Sequence, residues 1–203
     1  MTDLDRLWQT TLEEVVSRAA HEVKDALNGV SINVEAVRSR ASRKGSDVES
    51  VAGLATAAAN QLEVLTARTE ALLFLARPHR PATGLPDVAL TLKHLAALLV
   101  PAARSDGGSI QVEGYEKPVE TGAPAQAVRL ALAAGLLGFG QKSRGRCRLE
   151  GGNHDSGQEP VVRFSHESAG TCSLDTVVAQ AIALHNIRVE RSGSDLNLRF
   201  PGS

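Results

Sequence analysis

Residues 12–37 decide the fold: Leu12-Glu13-Glu14-Val15-Val16-Ser17-Arg18-Ala19-Ala20-His21-Glu22-Val23-Lys24-Asp25-Ala26-Leu27-Asn28-Gly29-Val30-Ser31-Ile32-Asn33-Val34-Glu35-Ala36-Val37. Leu12, Val16, Ala19, Val23, Ala26, Val30, Val34 and Val37 follow one another mostly by alternating threes and fours. That spacing is the apolar seam of a long amphipathic helix. Arg38, Arg40, Arg43 and Lys44 suit the negative end of such a helix, and Gly45 stops it. A second start follows at once. Ser46 with Glu49 has capping-box form, and Val48, Val51, Ala55, Ala58, Leu62, Leu65, Leu72 and Ala76 continue a helical stripe up to Pro78. Two long helices joined by a few residues form an antiparallel hairpin. One stripe per helix makes a thin core, so a second copy is expected to complete a four-helix bundle.

Outward from the hairpin, Pro78 to Pro86 holds three prolines and a glycine and reads as a linker. The expected organisation is a helical hairpin over 1–77, a linker over 78–86 and a mixed α/β unit over 87–203. In the last part, 87–104, 124–141 and 174–185 read as helices. Residues 109–112, 147–150, 161–164, 188–191 and 196–200 read as strands, the last two closing around Ser192-Gly193-Ser194-Asp195. The fold class is therefore α+β: a helical hairpin followed by a small sandwich of three helices on one sheet.

Composition narrows the function. The 203 residues carry 22 Lys plus Arg against 23 Asp plus Glu, a formal charge of −1. That balance argues against a generic nucleic-acid binder. Aromatics are only 3%, which leaves little for base or sugar stacking. Cys147 and Cys172 lie outside any CxxC spacing and read as reduced thiols. No uninterrupted apolar run reaches the roughly 18 residues of a membrane span. The opening Met1-Thr2-Asp3-Leu4-Asp5-Arg6 has a capping pattern instead of a signal sequence. The expectation is a soluble, cytoplasmic chain that engages neither membrane nor nucleic acid.

The chemistry is concentrated around His21. At 100° per residue His21 lies opposite the midpoint of Ala19 and Val23, so it points away from the seam. Asn28, seven residues on, shares its face, and Lys24 and Asp25 stand one turn away. A histidine displayed in mid-helix beside an acid, a base and an amide is equipped as an exposed nucleophile; a plain solvated histidine has the same spacing.

The order His21-Glu22-Val23-Lys24-Asp25-Ala26-Leu27-Asn28 resembles the phosphoacceptor box of sensor histidine kinases, set in the first helix of a dimerising hairpin. The resemblance extends over nearly the whole chain. Asp87 to Pro101 with Gly108 to Val112 is similar to the first helix and strand of the kinase ATP-binding domain. Leu174 to Phe200, with the turn at His185-Asn186, is similar to its last helix and hairpin. Departures from the kinase pattern are equally specific. Gly138 stands where kinases carry the magnesium-binding asparagine. Val162-Arg163-Phe164 runs into Ser165-His166-Glu167-Ser168-Ala169-Gly170 in place of Asp-x-Gly-x-Gly. Only Thr171-Cys172-Ser173 remains where the ATP lid would stand.

What is left resembles the dimeric histidine phosphotransferases, which relay phosphoryl groups between response-regulator receiver domains. The resemblance implies His21 as phosphoacceptor acting through Nε2, with Glu22 orienting the ring or taking a proton. Lys24 would steady the phosphoryl charge, and Asn28 would bond to it or to the receiver loop. It implies no cofactor of its own, since the Mg2+ of such reactions sits in the receiver. Asp25 replaces the usual Asn or Thr, which puts hydrolysis in doubt, and Ala26 replaces the usual proline, so the helix should run straight. Gly29, Ser31, Ile32 and Phe74 are candidate docking residues, though packing or plain surface is the simpler reading of each. The alternative is a non-catalytic dimeric module, derived from a kinase, that binds and regulates a receiver or a kinase.

Overall fold

The computed structural model describes residues 2–43, 48–77, 84–140, 143–151, 159–167, 172 and 174–203. Ser46 of the expected capping box, most of the expected linker (78–83) and residues 168–171 of the departure from the kinase pattern lie outside the described residues.

Two helices come first: α1 (Asp3–Ala41) and α2 (Val48–Ala76). Thr2 starts α1 through a reciprocal capping box with Asp5, in which each side chain bonds the other's main-chain N–H. No proline interrupts either helix, and both run unbroken. The buried line of α1 is Trp8, Val15, Ala19, Glu22 and Ala26, and that of α2 is Arg68, Ala71 and Leu75. The line read from sequence is thus displaced by part of a turn. Ala19 and Ala26 belong to it, but Val16 and Val34 are 41% and 53% exposed, and Val48 and Leu62 of α2 are exposed too. The physical reason is that each helix carries two adjacent apolar strips. Spacing alone merged them, and the single chain covers only one.

The second part begins with α3 (Val88–Ser105), capped by Asp87 onto the Leu90 N–H, and β1 (Ser109–Glu113). Then come α4 (Ala125–Leu137), β2 (Arg144–Glu150) and β3 (Val161–His166). The chain closes with α5 (Thr176–Ala183), β4 (Arg188–Ser192) and β5 (Asp195–Arg199). Helix α5 starts later than the sequence suggests because Asp175 caps it, accepting from the N–H groups of Val177 and Val178. The sheet order is β1-β2-β3-β5-β4, with β1 parallel to β2 and the other pairs antiparallel. Strand β2 begins at Arg144, before the Cys147 expected, because Gly145 already pairs with His166 of β3. The two-residue turn between β4 and β5 puts Gly193 at φ +63°, where glycine carries no Cβ penalty.

One face of the sheet is buried: Gly145, Cys147 and Leu149 of β2 alternate inward while Arg144, Arg146 and Arg148 point out. A single hydrophobic cluster runs from Trp8, Val15 and Leu75 of the hairpin into α3, α4 and the sheet. Helix α3 is long and apolar enough to cross a membrane; half of it is buried in this cluster. Contact between α4 and the sheet is close. A Cβ at Gly135 would lie 2.5 Å from the Phe164 ring, so a glycine there lets helix and strand meet.

Candidate functional site

His21 stands on the outward side of α1, in the middle of the helix, with its side chain 72% exposed. Its Nε2 lies 3.3 Å from Oδ2 of Asp25, one turn on. Lys24 and Asn28 are exposed on the same side of α1, and their side chains make no hydrogen bond or ion pair with the described residues. Ile32, another full turn along, is 69% exposed and continues this face. The structure therefore brings His21, Lys24, Asp25 and Asn28 to one open surface.

Glu22 is elsewhere. It follows His21 by one residue and is turned by about 100° into the hairpin. There it is 9% exposed, its carboxylate 3.5 Å from the Arg68 guanidinium of α2. Arg68 also donates to the main-chain oxygen of Glu22, and Ser105, at the end of α3, donates to the second carboxylate oxygen. The ring contact expected of Glu22 is made by Asp25 instead. Glu22 fixes the helix that carries His21 and joins three helices beneath it. Sequence reasoning missed Arg68 and Ser105. The available signal was an arginine seven residues before Leu75, on the line that α2 buries.

A second clamp holds the lower end of the hairpin. Arg129 of α4 is 7% exposed and donates to the carbonyl oxygens of Leu75 (3.4 Å), in the last turn of α2, and Arg77 (2.8 Å), just past its end. Its guanidinium lies 5.2 Å over the Phe74 ring, whose other neighbour is the stacked His94 ring at 4.3 Å. Burial lowers the pKa of Arg129. Burial, and then Lys93, lower that of His94 against an opposing pull from Glu70. Phe74 is thus a packing residue between the two parts of the chain, not a docking residue on the surface. Gly29 likewise faces Gln61 across the hairpin, where a Cβ would make ordinary contact at 3.5 Å.

In the α/β unit, Gly138 is the C-cap of α4, and the helix before it is lined by buried Ala, Val and Leu, with Arg129 committed to α2. Its one amide side chain, Gln126, donates to Asp5 of α1. His166, two residues past the strand end read from sequence, ends strand β3. Its ring sits edge-on to Phe139 at 5.1 Å, and both ring nitrogens are buried without a hydrogen-bond partner among the described residues. Cys147 and Cys172 are free and buried; burial pushes both thiols up, that of Cys172 to about 11. No cluster of three or more metal-ligating side chains occurs among the described residues.

In architecture the chain is similar to histidine kinases. The histidine kinase AdeS of Acinetobacter baumannii matches with a TM-score of 0.37 and 12% identity, over 89% of this chain and 97% of that one. The histidine kinase ThkA, solved in complex with the response regulator protein TrrA, matches with a TM-score of 0.42 and 11% identity. That match covers 96% of this chain but 63% of ThkA. The cytoplasmic segment of the histidine kinase QseC matches with a TM-score of 0.38 and 16% identity, over 70% of this chain and 92% of that one. No family model matches the sequence, and no curated protein does.

Proposed function

We propose that this chain is a histidine phosphotransferase, which relays a phosphoryl group between response-regulator receiver domains through His21 without binding ATP. The observation that carries the reading is the open display of the His21 imidazole on a hairpin whose interior is clamped from behind. A docked receiver would present its aspartyl phosphate to that face. His21 attacks phosphorus in line; the N–P bond forms, the acyl-phosphate O–P bond breaks, and the aspartate leaves as a carboxylate. Attack through Nε2 requires the ring to turn away from Asp25, a rotamer change open to two exposed side chains. The Lys24 ammonium is within the same face to offset phosphoryl charge, and Asn28 offers an amide one further turn along.

Mg2+ belongs to the receiver in this scheme, and the chain supplies no metal ligand or cofactor. The residues of α4 support the absence of ATP chemistry: its described side chains include no carboxylate or asparagine to hold Mg-ATP. The working form is a homodimer in the cytoplasm, in which the uncovered strips of α1 and α2 meet those of a second copy.

The test is incubation of the protein with a phosphorylated receiver, followed by assay for acid-labile, base-stable label. Label on the wild type that vanishes in His21→Ala is expected. A chain that binds receivers yet never acquires label at His21 would establish the non-catalytic module instead. Mg-ATP binding at millimolar concentration would overturn the account of the α/β unit.

A further inference from the structure

The sheet has two edge strands, and each borders a groove. Along β4 the groove of about 640 Å³ is lined by the consecutive residues Ile187 to Glu190. Its charges are already matched: Arg188 pairs with Glu159, and Glu190 pairs with Arg199 at 2.8 Å. Along β1 the groove of about 580 Å³ is different. Ile110, Gln111, Val112 and Glu113 all line it. Successive strand residues point to opposite faces, so a groove touching four in a row runs along the strand's edge, beside its main chain. Among the described residues no strand pairs with that edge.

The facing wall is the outward stripe of α3. Lys93, Ala97, Val100 and Arg104 follow the i, i+4, i+7, i+11 spacing of a single helix face. Lys93 and Arg104 are exposed, and neither enters an ion pair with the described residues. Between them the wall is small and apolar. Pro101 has no N–H, which leaves the Ala97 carbonyl oxygen without its helical donor on this wall. Glu113, the one acid lining the groove, is engaged by Arg146 at 3.8 Å.

We infer that this groove takes an extended peptide segment of a partner protein as a sixth strand, with an acidic residue at each end of the segment. The dimensions agree. Eleven helical steps from Lys93 to Arg104 span roughly 16 Å, and the four steps of β1 from Ser109 to Glu113 span roughly 13 Å of strand. That length admits about five extended residues, whose main chain meets the free edge of β1. The two cations then stand at the ends of the segment, and Val100 and Ala97 take its apolar centre. A strand edge that the described residues leave unpaired, beside a groove, is a usual geometry of strand addition. The inference does not depend on the phosphotransfer reading.

Panning a display library of random octapeptides against the full chain tests this. Enrichment of peptides with two acids about five residues apart, around a β-branched or apolar centre, is expected. Their affinity should fall at least tenfold in Lys93→Glu and in Arg104→Glu, with melting temperatures unchanged above pH 7, where His94 is neutral in both the folded and the unfolded chain. Bound peptide should also slow hydrogen exchange at the amides of 110–113. No enrichment, ligands indifferent to both charge reversals, or binding without protection of β1 would each overturn the inference.

Discussion

Arg68 on α2 donates to both the main-chain oxygen and the carboxylate of Glu22 on α1, the residue that follows the displayed histidine. Both side chains are about nine-tenths buried, so each charge depends on the other for its solvation. Removing one partner of such a pair typically costs about 3–5 kcal/mol, because the other is left buried and unpaired. Arg68→Met should therefore lower unfolding free energy in urea by about 3 kcal/mol. The double variant Glu22→Leu/Arg68→Met should recover much of that loss, since it buries no charge at all. A loss that is additive in the double variant would show that the pair is not coupled.

Gly135 sits where α4 touches Phe164 of β3, and a Cβ there would press to 2.5 Å of the aromatic ring. The ring is fully buried and has no free direction in which to retreat. Gly135→Ala should destabilise by about 1–3 kcal/mol despite its better helix propensity. Phe164→Leu in the same chain should relieve part of the loss, which calorimetry of the four chains would measure.

His94 gives the protein an acid-sensitive joint. Its folded pKa lies below the ordinary histidine value of about 6.5, first through burial against Phe74 and then through Lys93. The unfolded chain thus binds its proton more readily than the folded one. Its contribution to stability is whole above about pH 6.5 and is lost as pH falls through the lowered folded value. Melting temperature should decline from pH 7 to pH 5, and His94→Phe should flatten that decline. An unchanged slope in the variant would remove His94 as its source.

The exposed strips on the hairpin supply the fourth expectation. Val34 of α1 and Leu62 of α2 are each 53% exposed, on strips that the proposed dimer would bury. Val34→Asp and Leu62→Asp should shift the protein toward monomer in light scattering at micromolar concentration while leaving its far-ultraviolet dichroism intact. Mass unchanged by both substitutions would argue against assembly through this face.

The legible part of the structure was the part governed by local rules. The three-and-four spacing from Leu12 to Val37 and the Asn28–His21 alignment follow from helix geometry alone, as does the turn at Gly193-Ser194 from glycine's freedom. These placed His21 on the open side of a hairpin and gave the α+β order of elements. Which of two neighbouring apolar strips the chain covers was not legible, because hydrophobic spacing is the same whether the neighbour is α2 or a second copy. Glu22 is the clearest case. In sequence it stands beside His21, and adjacency suggested a shared role. One residue along a helix is a turn of about 100°, however, and the packing of α2 and the end of α3 gave its carboxylate to Arg68 and Ser105. The sequence by itself determined that His21, Lys24 and Asn28 are displayed on one side of the helix. Only the tertiary structure decided which side chains are held, since the partners of Glu22, Phe74 and Arg129 lie 46 or more residues away for Glu22 and some 20 to 55 for the others, and such pairings are set by packing between elements rather than by spacing within one.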